Sequence, residues 1–323
     1  MVFWENYSIK NIIKTRLNNK SFLDLQFKRN LIPSPTGIDA KIVNINNKPN
    51  IIKIKHFIKS HFGNPPHTPI LDIPEDKLLG LNDLLLYVED KTGKIAGCIR
   101  YHYIGTFIEQ PLYCNDCFCV HPEWRKKGIG DYLLNTLHQI VNSKKLHYSM
   151  FLKEGSQLSI LHRPFYSSIY IYKKLDIATI HNISSLTIKQ AYKLIDILTQ
   201  FNSDIFIIRN INSINQHWKL YKNGSDYVLA CIQDTYQYFN EDNKINKIGW
   251  ITAWIESPNI SDTNRQNALD QIANTAYGIF DYIWANKAWS YQSNSWKADG
   301  PFHWYLYQWT TSINIKTSYC ILN

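Results

Sequence analysis

The sequence predicts an α+β fold in which one architecture occurs twice. A run of β-prone residues over 112–120 feeds a short loop, Arg125-Lys126-Lys127-Gly128-Ile129-Gly130, and then a helix. That helix has apolar positions at Leu133, Leu134, Leu137, Ile140 and Val141, the spacing of one buried face. Two further strands precede this unit, at 84–89 and 95–103 with a turn at 91–94, and another follows it at 146–152. From Ser184 onward the order helix, strands, helix, strand recurs, although no sequence repeat is visible.

The remaining elements follow from the same patterns. Residues 1–60 are polar and rich in Asn and Lys, with helical spacing over 51–62. Prolines at 65, 66 and 69 make the next stretch a loop. A helix is expected over 164–174. In the second block, 188–201 is helical, with Ala191, Leu194, Ile195, Ile197 and Leu198 on its apolar side. Strands are expected at 227–233, 248–255 and 302–310, and a long helix at 264–285. The halves divide as 1–180 and 181–323.

At 323 residues, with 45% hydrophobic and 14% aromatic residues, the chain has ample material for a packed core. No apolar run is long enough to span a bilayer, and the first residues lack a basic region followed by an apolar one. A soluble, cytoplasmic protein is expected. The net charge of +9 suits an anionic ligand, yet the lysines are scattered among Asn and Ile and form no dense tract that would mark a nucleic-acid binder. Cys114, Cys117, Cys119 and His121 have metal-like proximity, but the last three alternate along a strand and no second Cys/His pair closes a tetrahedron. All six cysteines are read as reduced thiols, mostly buried, and no metal is expected.

The loop at 125–130 carries the chemistry. Glycines at a strand-to-helix junction let the backbone approach a ligand, and first-turn N–H groups have no partner within the helix. The positive helix end and Arg125, Lys126 and Lys127 then make an anion site, suited to a pyrophosphate. It is not a Walker loop, since no Gly-Lys-Ser/Thr follows, and its spacing is wrong for a dinucleotide fingerprint. By itself, the hexapeptide is equally compatible with a solvated basic turn.

Arg-x-x-Gly-x-Gly after a strand resembles motif A of the GNAT superfamily, which transfers acyl groups from acyl-CoA to amines. Three stretches narrow the resemblance to the N-myristoyltransferase family. Val2-Phe3-Trp4-Glu5 resembles its Phe-Trp-Asp entry motif. Cys117-Phe118-Cys119-Val120-His121 is similar to its Phe-Leu-Cys-Val-His strand. Asp299-Gly300-Pro301-Phe302 with Trp304-Tyr305-Leu306-Tyr307-Gln308-Trp309 is similar to its Asp-Gly-Asn-Leu and Tyr-Leu-Tyr-Asn-Trp segments.

The resemblance implies two GNAT-like halves packed as one globule around a saddle-shaped mixed sheet, the first binding acyl-CoA and the second the peptide. Val2, Phe3, Trp4 and residues Cys117, Phe118, Cys119 and Val120 would line the acyl-CoA site. Arg125, Lys126, Lys127, Gly128, Ile129 and Gly130 would hold the pyrophosphate. The N–H groups of Cys117 and Phe118 would form an oxyanion hole, and the main-chain carboxylate of Asn323 would be the base. Acyl-CoA, myristoyl-CoA above all, is the implied co-substrate and a peptide or protein N-terminus the acceptor of a monomeric enzyme. The chain departs from the family at the phosphate loop, which reads as a generic GNAT, and at Lys153-Glu154-Gly155, where a Thr-Ala-Gly stretch is expected.

An N-terminal amine, with a reference pKa of about 7.7–8.0, needs only a weak base, whereas a lysine at about 10.4 needs roughly 4 kcal/mol more help. Asp116 and Glu154 are the alternative bases. Two other functions fit the sequence: an acetyl-CoA-dependent N-acetyltransferase, and an inactive acyl-CoA or peptide-binding module.

Overall fold

The computed structural model describes residues 23–24, 30–63, 68–158, 164–201, 205–211, 215–241, 244–291, 294–311 and 318–321. In chain order the first half contains β1 (Leu23–Asp24), β2 (Lys41–Ile42), α1 (Lys48–His61), β3 (Ile70–Leu71), α2 (Glu75–Leu78), β4 (Leu84–Glu89), β5 (Ile95–Phe107), β6 (Gln110–Val120), α3 (Ile129–Ser143), β7 (Ser149–Glu154) and β8 (Tyr166–Lys174). The second contains β9 (Ile183–Leu186), α4 (Ile188–Phe201), β10 (Phe206–Ile207), β11 (His217–Asn223), β12 (Asp226–Glu241), β13 (Lys244–Glu256), α5 (Asp262–Asn274), β14 (Tyr282–Asn286), β15 (Lys297–Tyr307), β16 (Trp309–Thr310) and β17 (Tyr319–Cys320).

A single mixed sheet joins the two halves in the order β2-β4-β5-β6-β7-β15-β8-β14-β13-β12-β11-β9. Along this order two pairs are parallel, β6 with β7 and β13 with β14, and off it β10 pairs parallel with β17. Each of the first two is bridged by a crossover helix, α3 in the first half and α5 in the second, as parallel strands require. The expected recurrence of architecture is therefore present as two βαβ units. Near the sheet's centre β15, from the end of the chain, pairs antiparallel with both β7 and β8.

The helices lie where their apolar stripes dictate. Leu133, Leu134, Leu137 and Val141 of α3 pack with Ile99 and Tyr101 of β5. Gly97 lets the start of α3 come this close, since a Cβ there would lie 2.8 Å from Ile129 Cγ2. The opposite face of β5 and β6 is covered by Ile51, Ile54, Phe57 and Ile58 of α1. Among the described residues no helix is long and apolar enough to cross a membrane.

Two expectations are corrected. Residues 164–174 are not a helix: β8 alternates aromatic and aliphatic side chains, and it is hydrogen-bonded on both edges, to β14 and β15. The sheet thus overrides a pattern too short to distinguish the two periods. The helix expected over 264–285 ends at Asn274, and Gly278, at φ +86°, turns the chain into β14. Apolar residues continue across that break because Phe280, Ile283 and Ala285 enter the same core as Leu269 and Ile272.

A close approach ties the halves together beside the central strands. The backbones of Thr106 and Arg209 exchange hydrogen bonds of 2.9 and 2.8 Å. This is possible because residue 105 is glycine at φ +133°, where a Cβ would lie 2.4 Å from the Arg209 carbonyl oxygen. Gly105→Ala should therefore destabilise the protein by about 2–3 kcal/mol, through strain and the displaced bridge, as read by urea denaturation.

Candidate active site

The site is built where β6 and β7 part. They pair only at Tyr113–Ser149 and Cys114–Met150, after which β7 continues along β15 from Ser149 to Glu154. The second half repeats this divergence. There β13 pairs with β14 over Ile248–Tyr282, Gly249–Ile283 and Trp250–Trp284, and farther on it pairs with β17 instead, at Ala253–Cys320 and Trp254–Tyr319. The chain's own last strand fills the gap in the second half. In the first half, a cavity opens at the divergence.

Next to that divergence the β5–β6 ladder slips. Cys98 pairs with Cys119 and Arg100 with Asp116, so Cys117 and Phe118 together face Ile99 alone. Such a bulge kinks the strand and takes a residue out of the ladder. Cys117 sits at φ +48°, a conformation that costs a non-glycine residue on the order of 1–3 kcal/mol. Its carbonyl accepts a hydrogen bond from the Cys98 thiol at 3.4 Å.

The cavity has a volume of about 520 Å³, within the roughly 300–1,000 Å³ usual for small-molecule sites. The bulge residues Cys117 and Phe118 line it on one side. Leu152 and Glu154 of β7, Tyr170 of β8 and Trp250, Trp284 and Trp304 of the second half line the other. The enclosure is therefore aromatic across from the bulge and polar along β5.

On that polar wall Arg100 donates through Nε to Asp116 Oδ1 at 2.6 Å and through Nη2 to Oδ2, while Nη1 donates to the carbonyls of Lys77 and Leu78. Burial opposes the guanidinium charge, but Asp116 outweighs it and raises the Arg100 pKa. One ladder step farther, Asp83 holds His102, with Oδ2 3.0 Å from Nδ1. Asp83 also accepts from the Tyr103 and Gly80 N–H groups, each at 2.8 Å. Although burial pushes its carboxyl up, these bonds outweigh burial and hold Asp83 below its ordinary pKa. Glu154 stands at the mouth, where the surrounding protein and then Asp299 raise its pKa.

All six cysteines are buried with free thiols. Burial raises the Cys117 thiol and pushes Cys119 up to about 12. A protonated thiol is a poor nucleophile, so neither side chain is suited to carry an acyl group.

The basic loop follows Val120, just beyond the bulge at the C-terminal end of β6. Gly128 caps α3 at φ +83° and ψ 0°, with no side chain hydrogen-bonded to the first turn, whereas Ser261 caps α5 in the second half by accepting from Asn264 N. Arg125, Lys126, Lys127 and Gly128 are exposed. Lys126 has φ +63°, Lys127 Nζ lies 5.1 Å above the Trp124 ring, and Arg125 Nε donates to the Val120 carbonyl. Arg125 therefore braces the loop to the end of β6.

Residues 82–175 match the family model for the acetyltransferase (GNAT) domain, a span covering β4 to β8. No curated protein sequence matches the chain. Among solved structures, Saccharomyces cerevisiae N-myristoyltransferase with bound myristoyl-CoA is similar at 10% identity, with a TM-score of 0.66 over 96% of this chain and 93% of that one. A second structure of the yeast enzyme with myristoyl-CoA gives 11% identity and a TM-score of 0.65, over 96% and 88%. The chain has the N-myristoyltransferase fold. The same enzyme with myristoyl-CoA and inhibitors gives 10% identity and a TM-score of 0.64, over 96% and 90%.

Within that fold, Cys117 and Phe118 meet the cavity, whereas Lys126, Lys127, Gly128, Ile129 and Gly130 gather at the start of α3. Val2, Phe3, Trp4 and Asn323 lie outside the described residues. Asp116, an alternative base by sequence, is engaged by Arg100 through both carboxylate oxygens. The Asp83–His102 pair was not anticipated. Its one sequence signal is the alternation of Cys98, Arg100 and His102, which puts three polarisable side chains on one face of β5.

Removing one member of the Arg100–Asp116 pair strands a charge in the protein. Asp116→Ala should cost about 3–5 kcal/mol in urea denaturation, and Arg100→Met with Asp116→Leu should recover most of it.

Proposed function

We propose that this protein is an N-acyltransferase that moves a fatty acyl group, of myristoyl length, from acyl-CoA to the N-terminal glycine amine of a protein or peptide. The observation that supports the reading is the N-myristoyltransferase fold joined to a GNAT-domain match over 82–175, an exposed basic loop at the start of α3 and a cavity at the parting of β6 and β7. In this reading the first-turn amides of α3, Gly128 and the two lysines bind the pyrophosphate, and Val2, Phe3 and Trp4 with Cys117, Phe118, Cys119 and Val120 line the acyl-CoA path.

The pantetheine then runs along β6 and brings the thioester to the bulge. The amide groups of Cys117 and Phe118 meet the carbonyl oxygen as negative charge develops there, and loss of one such donor costs on the order of 3 kcal/mol. The amine attacks the thioester directly, which agrees with thiols held protonated by burial. The aromatic wall from the second half excludes water and faces the acceptor.

The main-chain carboxylate of Asn323 is proposed as a proton acceptor at the point of attack. Support comes from the approach of the chain: Ile321 is buried and its N–H donates at 3.3 Å to the carbonyl of Thr252, a residue of the cavity wall. The acceptor amine is then met from the side of the second half, where β17 fills the gap.

Calorimetry tests the donor: myristoyl-CoA should bind at least tenfold more tightly than acetyl-CoA. Equal affinity would favour the second reading, an acetyl-CoA-dependent N-acetyltransferase, to which the generic GNAT loop points. Lys126→Glu with Lys127→Glu should weaken CoA binding by about tenfold or more, roughly 1.4 kcal/mol or above, without changing the denaturation midpoint. Extension of the chain by two alanines after Asn323 should reduce CoA release with a glycyl peptide by about 10²-fold or more while sparing acyl-CoA binding.

A further inference from the structure

We propose that His102, oriented by Asp83, is a second proton-handling residue of the cavity and takes the proton that an ammonium acceptor must lose before it can attack. The inference rests on the acyltransferase reading. It assigns a role to a pair on β5 and the preceding loop, apart from the phosphate loop, the bulge and the chain end.

Geometry determines which imidazole nitrogen is available. Asp83 accepts the Gly80 and Tyr103 amides at 2.8 Å each, so its carboxylate faces the ring as an acceptor. The Nδ1 atom facing it at 3.0 Å therefore carries the hydrogen, leaving Nε2 with its lone pair. His102 lines the cavity with its side chain 23% exposed, against 3% for Asp83. The buried carboxylate thus holds a ring that lines the cavity. A base fixed by an orienting acid beside a site where an amine must be neutral has the parts of a general base.

The other charged groups around His102 leave this arrangement intact. Arg100 is satisfied by Asp116, and Lys77 lies 3.0 Å from Asp76. Asp234 accepts from the Tyr236 N–H at 2.7 Å, and Glu154 stands at the mouth. The wall therefore presents carboxylates in excess of unpaired cations, which favours entry of an ammonium group. In the ladder His102 is opposite Cys114, three residues before Cys117, a separation of about 10 Å along the strand. At that range His102 meets the ammonium on its way to the bulge, within hydrogen-bond reach, and not at the point of attack.

The proton balance then closes. The ammonium gives one proton to Nε2 of His102, which releases it to solvent. The amine nitrogen bonds to the thioester carbon, the C–S bond breaks, and its electron pair leaves on the CoA sulfur. The second nitrogen proton passes to the departing thiolate, giving an amide, free CoA and one proton.

The test measures CoA release by the full chain with myristoyl-CoA or acetyl-CoA and an N-terminal glycyl peptide, for wild type, His102→Ala and His102→Gln. Both variants should lose about 10²-fold or more in kcat at about pH 6.5, with the KM for acyl-CoA unchanged. The deficit should shrink as pH rises toward the amine's own pKa of about 8, because the acceptor then deprotonates itself. Added imidazole should restore His102→Ala at least tenfold, and Gln, which can still donate to Asp83, should keep the wild-type melting temperature. A rate within twofold of wild type, or a loss equal at every pH and not rescued, overturns the proposal. A wild type that binds acyl-CoA but releases no CoA with any peptide overturns the acyltransferase reading itself, and this proposal with it. Independently of turnover, nitrogen NMR of the neutral imidazole should find the His102 proton on Nδ1, and a neutral ring with its proton on Nε2 would overturn the orientation.

Discussion

Two parallel strands that part after two residue pairs set everything else in this molecule. The separation of β6 from β7 follows from α3, which crosses between them and presses its first turn against Gly97. It leaves room for the cavity beside Cys117, between the parted strands. A hydrogen-bonded sheet leaves no room for a ligand in its own plane; a split sheet does, and its parted edges offer backbone groups to whatever lies between. The second half splits in the same way and closes its gap with β17. One architecture thus yields a cavity in one half and a filled gap in the other.

Charge within the cavity is handled by pairing. Arg100 with Asp116 and His102 with Asp83 occupy neighbouring rungs of one face, each buried carboxylate matched to a cation or a donor. An isolated charge at such depth would cost several kcal/mol, so each partner is needed for the other to remain. The two pairs differ in exposure. Arg100 spends its donors on Asp116 and two carbonyls and is 8% exposed, whereas the His102 side chain is 23% exposed and lines the cavity.

The β6–loop–α3 unit was legible in the sequence because its signals are local: β-prone residues, glycines at a turn, and a helical stripe, all within thirty residues. Helix α4 was legible for the same reason, and its bounds, Ile188–Phe201, coincide with the periodicity. Strand β8 was not legible, since its identity comes from β14 and β15, partners more than a hundred residues away. The end of α5 was hidden because the core continues through the turn at Gly278. Within the site, Cys117 and Phe118 were found through resemblance. Asp83 and His102 were missed because a loop-to-strand pairing nineteen residues apart leaves no periodic trace.

Hydrogen exchange on the intact chain, with and without CoA, tests most directly whether the start of α3 and the bulge of β6 form a single ligand path. Added CoA should slow exchange together at the amides of 129–132 and of 117–118, while β13 and α5, the matching unit of the second half, keep their rates. Unchanged exchange at both segments, or protection at α5 instead, would contradict a ligand path along β6.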